Sequence, residues 1–486
     1  MPRTTPRAPH RGAVALPAGA PGSARPELRT LWYMGAKTRL CPEFIEGAAA
    51  DLLPEGGTFL DLCTGTAAVA RTLASRYRIF ANDVQRFSAT IASAHLEGDD
   101  RWREHLERLD PEADLRRASD ANRRDLEKLF PFALAREAVL LPRVIAEISG
   151  NAEERLACAE YRDLVASTPE PRAEAAPGSL PESDPRFRPF AELLPGLLRD
   201  RRRDPAGAPF ALITAYYGNV YFSLEQSIAI DSLRRAIAAI PAEDRLAERK
   251  RALYLAALLH AASVSTSGTS HFAQPRSIAR DRELLAVARR RTIDVEAEFH
   301  AALAAIRREW GSVPRRPGNR VFRRPAEELL AEGGPLAGEE IGLVYIDPPY
   351  TADHYSRFYH LLETLVEYDY PELAVRGGAL TRGRYPVAAR RFQSSFCSAE
   401  NVERTFRGLV ERSHAIGANL LISYAADQGL LMRRWRDEGV DDPVAHFRAL
   451  CRETYATVEI RERELLHSGQ GDSNRAAREL LVLCER

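Results

Sequence analysis

The chain alternates short apolar runs with longer amphipathic stretches. Apolar runs at residues 58–62 and 78–81 are separated by a helical pattern, and this succession is typical of the βαβ units of a parallel sheet. Further apolar runs follow in the last third of the chain, at residues 320–323, 342–346, 419–424 and 478–483. We therefore predict an α/β protein with a doubly wound parallel sheet.

The middle of the chain lacks this alternation. From about residue 85 to 319 the pattern is one of long, charged helices, and such a length without strands is too great for a loop. We predict an inserted helical domain over residues 99–319, and an α/β domain formed by residues 29–98 and 320–486. The first 28 residues, rich in Pro, Ala, Gly and Arg, are predicted to be a disordered basic tail.

Composition narrows the choice of function classes. The 68 basic and 68 acidic residues cancel, so any nucleic acid must be held by a local basic surface. The six cysteines stand far apart and lack metal-ligand spacing, which argues against a metal site or disulfides and favours a cytoplasmic protein. No apolar tract reaches the roughly 18 residues of a membrane span. Only three basic residues are lysines, so Lys37 is a candidate for a point-charge role.

The sequence Asp347-Pro348-Pro349-Tyr350 follows the apolar run at residues 342–346. Because proline lacks an N–H, the strand ends here, and the acid and the tyrosine are predicted at the carboxyl end of the sheet, where α/β folds bind ligands. The Asp347 carboxylate and the Pro348 carbonyl can accept the N–H bonds of an exocyclic amine on a nucleobase. Tyr350 can stack on such a base once it is flipped out of a duplex. The alternative is a strand end that Asp347 merely caps.

A second candidate site follows the first apolar run. Residues 63–67 read Cys-Thr-Gly-Thr-Ala, and a single glycine is too few for a dinucleotide fingerprint, which disfavours a nicotinamide or flavin site. Asp83 stands eighteen residues after Gly65, the place of an acid that accepts the hydroxyls of an adenosine ribose. Helix capping is the alternative role for Asp83.

In this order, the motifs resemble those of the alpha class of S-adenosylmethionine-dependent DNA adenine methyltransferases. That family begins with Tyr-x-Gly-x-Lys, matched here by Tyr33, Gly35 and Lys37. A glycine turn comes next, and then an Asn-Asp strand end, matched by Asn82 and Asp83. A helical target-recognition insert and Asp-Pro-Pro-Tyr follow. The order is specific, because the beta class places Asp-Pro-Pro-Tyr before the glycine turn.

The resemblance implies a Rossmann-like class I methyltransferase sheet with a large inserted helical target-recognition domain, and chemistry that needs no metal. It assigns catalysis to Asp347, Pro348, Pro349 and Tyr350, which would hold the target adenine. It assigns S-adenosylmethionine binding to Tyr33, Gly35, Lys37, Asp61, Cys63, Gly65, Asn82 and Asp83. DNA contacts are assigned to an element similar to the family's Gly-x-Phe-Asn-Val-Pro loop and to two nearby arginines, namely to Gly268, Phe272, Arg276, Arg323 and Arg324.

Two features depart from the family pattern. The Phe-x-Gly-x-Gly turn reads Cys63-x-Gly65-x-Ala67, and the strand before Asp347, which often carries an acid-aromatic step, reads Val-Phe-Arg-Arg at residues 321–324. Neither change removes a group that methyl transfer requires. Arginine runs predicted to meet DNA phosphates lie in or beside the insert, at residues 199–203, 289–291, 315–316, 320 and 323–324.

The expected function is sequence-specific methylation of the 6-amino group of adenine in duplex DNA. The expected partners are duplex DNA and a cognate restriction endonuclease or defence-system protein. Two alternatives stay open at this point. One is the same chemistry on the 4-amino group of cytosine or on an RNA guanine, and the other is a catalytically inactive DNA-binding protein on the same scaffold.

Overall fold

The computed structural model describes residues 31, 37, 40–172, 184–200, 208–241, 243–269, 271–468 and 474–486. Within these ranges the side chains of residues 42, 200, 465–468 and 474–477 are outside the description. The predicted basic tail, Tyr33, Gly35 and residues 201–203 also lie outside the described residues.

Seven strands form one sheet. They are β1 (Thr58–Asp61), β2 (Arg78–Asn82), β3 (Arg320–Phe322), β4 (Leu343–Ile346), β5 (Asn419–Ala425), β6 (Thr457–Ser468) and β7 (Asn474–Glu485). Their spatial order is β3-β2-β1-β4-β5-β7-β6, and neighbouring strands are parallel except in the two pairs that include β7. The mostly parallel sheet confirms the predicted α/β class and is that of a Rossmann-like methyltransferase fold.

The described residues also form α-helices along the whole chain. They are α1 (Glu46–Leu52), α2 (Ala68–Leu73), α3 (Arg86–Leu96), α4 (Asp100–Glu107), α5 (Pro111–Glu127), α6 (Pro131–Ser149), α7 (Leu156–Ala166), α8 (Arg188–Asp200), α9 (Leu212–Tyr217), α10 (Leu224–Ala239), α11 (Arg245–Ser265), α12 (Asp281–Arg291), α13 (Val295–Ser312), α14 (Ala326–Leu329), α15 (Tyr355–Phe358), α16 (His360–Glu367), α17 (Val402–Ala415), α18 (Leu430–Asp437) and α19 (Pro443–Arg452). Three shorter helical turns, at Cys41–Ile45, Ala388–Arg390 and Ser395–Cys397, and a hairpin of Val375–Arg376 with Ala379–Leu380 complete the fold.

The central strands β1 and β4 are buried along their whole length, because helices cover both faces of a parallel sheet. Alternate side chains point to opposite faces, so Leu60 and Val344 pack with α17 to α19, whereas Phe59 and Tyr345 pack with α1 and α2. The parallel register pairs Asp61 with Tyr345. The loops that follow β1 and β4 therefore lie side by side at one edge of the sheet.

Helices α4 to α13 fill the interval between α3 and β3, where the described residues form no strand. Their shared hydrophobic core also takes in side chains of α16, among them Leu361 and Leu365. In addition, the buried guanidinium of Arg234 on α10 donates to the carbonyl oxygens of Leu365 and Val366, each at 2.9 Å. The helix that follows the Asp347 loop is thus packed into the insert, while the exact domain limits stay a prediction.

Two elements differ from the sequence-based expectation. Strand β6 was not predicted, because Glu459, Arg461 and Arg463 interrupt its apolar pattern, as charged side chains commonly do on an edge strand. The pattern after the Asp347 loop predicts one helix over residues 355–370, whereas the structure divides it at Tyr359 into α15 and α16. In the described part of the chain, no helix is long and apolar enough to cross a membrane, and no group of three or more His, Cys, Asp or Glu is placed to hold a metal ion.

Candidate functional site

One large cavity opens at the carboxyl ends of β1, β2 and β4. It encloses about 1080 Å³ of empty space, including the part open to solvent. The structure brings most of the sequence-predicted site residues to its wall, namely Lys37, Asp61, Cys63, Gly65, Asn82, Asp83, Arg324, Asp347, Pro348, Pro349 and Tyr350. The two motifs that sequence placed on separate strands therefore face one shared space.

Asp83 fixes the turn after β1 from the end of β2. Its Oδ2 accepts the Gly65 backbone N–H at 2.9 Å, and its Oδ1 accepts the Gln85 N–H at 2.9 Å. Burial raises the pKa of Asp83 to about 6, against the lowering effect of these backbone hydrogen bonds. The carboxylate is thus held at the cavity wall, beside a glycine whose φ is +52°.

The alanine that replaces a family glycine occupies a strained position. Ala67 has a φ of +57° and a ψ of +24°, in the left-handed region, which costs a non-glycine residue roughly 1–2 kcal/mol. Its methyl group is fully buried against α1 and α2, and burial of a methyl group offsets about 0.8 kcal/mol of that cost. The turn therefore has the left-handed backbone conformation that glycine usually adopts, although the residue is an alanine.

Asp61 and Asn82, two further residues predicted for the site, make different polar contacts. Asp61 is 1% exposed; its Oδ2 accepts the Thr64 hydroxyl at 3.0 Å, while Oδ1 has no hydrogen-bond partner among the described residues. Burial raises the pKa of Asp61 to about 8. Asn82, in contrast, donates from Nδ2 to the carbonyl oxygens of Leu62 and Arg324 at 3.0 Å each, so its side chain ties three strand ends together.

A compact polar network closes the other end of the cavity. The ammonium of Lys37 lies 2.5 Å from the Tyr350 hydroxyl, 3.0 Å from Asp347 Oδ1 and 3.3 Å from Glu479 Oε1. The Tyr350 hydroxyl reaches both acids, at 2.8 Å from Asp347 Oδ1 and 2.5 Å from Glu479 Oε1. Ser423 donates to the same Glu479 oxygen at 2.5 Å. Two carboxylates therefore share one ammonium and one phenol.

The network controls the charge and the orientation of Asp347. Burial raises the pKa of Asp347, and the adjacent Lys37 ammonium opposes that rise. For Lys37, burial alone would lower the pKa, but the carboxylates of Asp347 and Glu479 outweigh it and raise the pKa. Lys37 and Tyr350 both contact Oδ1 of Asp347, so Oδ2 is the oxygen that can accept from a ligand.

Sequence reasoning missed Glu479. The residue lies on β7 and is 2% exposed. Glutamate is rarely buried, so its place in front of an apolar run does not predict a buried charge. Glu479 reaches the site through the sheet order, because β7 pairs with β5 and β5 pairs with β4. Ser423, which donates to Glu479, lies on β5 between them.

The residues predicted to contact DNA are dispersed. Phe272 is 2% exposed, and its backbone N–H donates to the Phe358 carbonyl at 2.9 Å, so this side chain packs inside the protein. Gly268 is also buried, and its carbonyl accepts from Nε of the exposed Arg276 at 2.9 Å. Arg323 and Arg324 are exposed at the end of β3.

Two of the arginine runs contribute side chains to the protein interior. Arg291 is 4% exposed and donates to the Tyr161 hydroxyl at 2.7 Å. Arg315 pairs with the buried Glu309 at 3.0 Å. These two side chains stabilise the helical region, so the sequence expectation that they meet DNA phosphates is corrected by their burial.

Comparison with known proteins agrees with this fold in part of the chain. No protein-family profile matches the chain. Over 214 residues, 44% of the chain, it is 27% identical to the type II methyltransferase M.FokI of Planomicrobium okeanokoites, covering 28% of that relative. Over 108 residues, 22% of the chain, it is 31% identical to the modification methylase LlaI of Lactococcus lactis subsp. lactis, covering 15% of it. The matches thus span less than a third of either relative's length. Within the matched residues, this chain is homologous to type II restriction-modification methyltransferases.

Proposed function

We propose that this chain transfers a methyl group from S-adenosylmethionine to the 6-amino group of an adenine flipped out of duplex DNA at a specific sequence. The observation that carries the proposal is that Gly65 and Asp83 share one cavity with Asp347 and Tyr350. The turn after β1 and the loop after β4 thus face the same space, as two ligands that react with each other require.

The cofactor side of the cavity has the groups that S-adenosylmethionine requires. Asp83 is positioned to accept ribose hydroxyls, and the turn at Gly65 lets a ligand lie against the backbone. The buried Oδ1 of Asp61 has no partner among the described residues, and the ammonium of a methionine moiety is a donor of the kind it lacks. When bound, S-adenosylmethionine supplies an electrophilic methyl group.

The base side of the cavity acts on the amine. Asp347 Oδ2 and the Pro348 carbonyl accept the two N–H bonds, which draws the nitrogen lone pair out of conjugation with the ring. With S-adenosylmethionine bound, the nitrogen would gain a bond to the methyl carbon as the carbon–sulfur bond of the sulfonium breaks and its electron pair stays on the sulfur, and the Asp347 carboxylate would take up the proton that the nitrogen loses. Positioning supplies most of the acceleration in such a direct transfer. Lys37 and Tyr350 hold Asp347 in place from the other side.

The biological role we propose is that of a modification enzyme. The two relatives are a type II methyltransferase and a modification methylase, and enzymes of this kind protect DNA from a nuclease of the same specificity. We therefore infer a cognate endonuclease as the partner, and a cytoplasmic location where both meet DNA.

The direct test is methyl transfer to unmethylated duplex DNA by wild type and Asp347→Asn. We expect the variant to bind S-adenosylmethionine and to lose methyl transfer, and wild-type product to contain N6-methyladenine after digestion to nucleosides. Asp353→Asn is the matched control, because Asp353 is exposed and does not line the cavity. Full activity of Asp347→Asn refutes the catalytic assignment, and a methylated cytosine or an RNA product refutes the assignment to DNA adenine.

A further inference from the structure

An arginine-rich loop follows α16. Residues 373–399 contain no Asp or Glu and five arginines, Arg376, Arg382, Arg384, Arg390 and Arg391. This excess is unusual in a chain whose total charge cancels, and a local basic surface is what a neutral protein needs to hold nucleic acid.

The fold fixes the second half of this loop at the mouth of the cavity. Phe392 and Phe396 line the cavity itself, and the Phe392 carbonyl accepts the Ser356 hydroxyl at 2.6 Å. On the other side, the Tyr385 hydroxyl donates to the Ala273 carbonyl of the insert. The arginine-rich loop is thus anchored both to the segment after Tyr350 and to the insert.

Three of the five arginines are available to an external anion. Arg384 pairs with Glu170 at 3.4 Å, and Arg390 pairs with Asp369. The other three, Arg376, Arg382 and Arg391, form no ion pair within the described part of the chain. Burial lowers the pKa of Arg391, and the like charge of the nearby Arg357 lowers it further. A phosphate between these two arginines would relieve the repulsion.

An aromatic side chain completes this surface. Phe392 is 40% exposed, follows directly on two arginines, and borders both the main cavity and a second, adjoining cavity. Most large apolar side chains of the protein are buried, so an exposed ring at a cavity mouth is a candidate for contact with a base.

We propose that Arg376, Arg382 and Arg391 bind phosphates of duplex DNA beside the target nucleotide, and that Phe392 contacts a base at the cavity mouth. This inference rests on the proposed function. It moves an important part of the DNA-binding surface from the insert, where Phe272 is buried, to the loop between α16 and α17.

The test is the salt dependence of DNA affinity in the full-length chain. In a variant with Arg376, Arg382 and Arg391 replaced by Ala, we expect weaker binding and a shallower plot of log K against log salt concentration. The slope should fall by about 0.9 for each phosphate that is no longer neutralised, or by about 2.7 for three. The affinity for S-adenosylmethionine should not change, because none of the three side chains lines the main cavity.

A matched control replaces three exposed arginines on α17 to α19 that line neither cavity, Arg404, Arg433 and Arg452. This control should keep the wild-type slope. If wild type methylates DNA and the loop variant keeps the wild-type slope, the loop assignment is wrong while the proposed function stands. If wild type methylates no DNA, the proposed function itself fails. Should the triple variant lose cofactor binding, the Arg376 and Arg382 double variant applies the same test to two exposed side chains.

The role of Phe392 has its own readout. Phe392→Ala should slow methylation of a paired target base more than of a mismatched one, because a mismatched base is easier to extrude. The control is Val375→Ala, an exposed apolar residue of the same loop that lines neither cavity. An equal loss of rate on both substrates, or no loss on either, overturns the base contact.

Discussion

Replacing Lys37 by Met removes the charge shared by the half-buried carboxylate of Asp347 and the buried carboxylate of Glu479. Methionine keeps the length and the apolar stem of lysine, so the change is confined mainly to the ammonium. Because the ammonium holds the pKa of Asp347 down against the effect of burial, its removal is expected to raise that pKa further. In the mechanism proposed above, Asp347 accepts the N–H bonds of the amine as a carboxylate, so the variant should lose activity at neutral pH and regain part of it at alkaline pH.

The size of the effect follows from the geometry. For the Nζ–Oδ1 distance of 3.0 Å, Coulomb's law with an effective dielectric constant of about 20 gives about 5.5 kcal/mol. Removal of one partner from a buried ion pair typically costs about 3–5 kcal/mol. One pKa unit corresponds to about 1.4 kcal/mol, so the lower value of about 3 kcal/mol raises the pKa of Asp347 by about two units.

The assay is the pH dependence of kcat/KM for DNA at constant ionic strength, from about pH 5 to about pH 9, since this parameter reports the ionisation of the free enzyme. In Lys37→Met the acid limb should move up by about two pH units. The other titratable groups close to Asp347 are not cations, namely Glu479, Asp61, Cys63, Tyr345, Tyr350 and Tyr355. An unmoved acid limb in an active Lys37→Met variant refutes the reasoning.

Glu479→Gln should shift the acid limb of the pH profile in the opposite direction. The Glu479 carboxylate raises the pKa of Asp347, so the neutral amide should move the acid limb to lower pH. It should also reduce kcat, because the amide is a weaker anchor for Lys37 and Tyr350. The matched control is Glu462→Gln, an exposed carboxylate on β6. A shift in the same direction in Lys37→Met and Glu479→Gln contradicts the network described above.

Two further predictions separate the two halves of the cavity. Asp83→Asn should weaken S-adenosylmethionine binding by about 1.5–3 kcal/mol, because an amide cannot accept hydrogen bonds at both positions as the carboxylate does. Equilibrium titration with labelled cofactor measures this affinity. An unchanged affinity counts against the assignment of Asp83 to the ribose. Tyr350→Phe should lower kcat while DNA affinity is kept, whereas Tyr350→Ala should also lose about 1–3 kcal/mol of DNA binding from stacking. Equal DNA affinities for these two Tyr350 variants in a binding titration would argue against the stacking role.

Motifs close together in sequence made the fold and one wall of the cavity predictable. The spacing from Gly65 to Asp83 spans one βαβ unit, and parallel register then brings both to the same edge of the sheet. The same rule placed Asp347 there, because buried strands with proline ends are visible in the sequence. Lys37 was also assigned to the site, through the resemblance.

The network around Asp347 could not be predicted in the same way. Glu479 comes from a strand that runs antiparallel to its neighbours, and its contact with Lys37 depends on tertiary packing between distant parts of the chain. The burial of Phe272 could not be predicted for a related reason. A loop motif shows which residues are present, but only the packing against Phe358 shows which side chain is buried.

The position of α16 limits how the helical insert can be exchanged. The helix begins shortly after Tyr350, yet its apolar side is part of the core of the insert, and Arg234 of the insert holds its last carbonyl groups. An insert transplanted from a relative would leave that side of α16 uncovered. A chimaera that replaces the insert therefore has to carry α16 together with it.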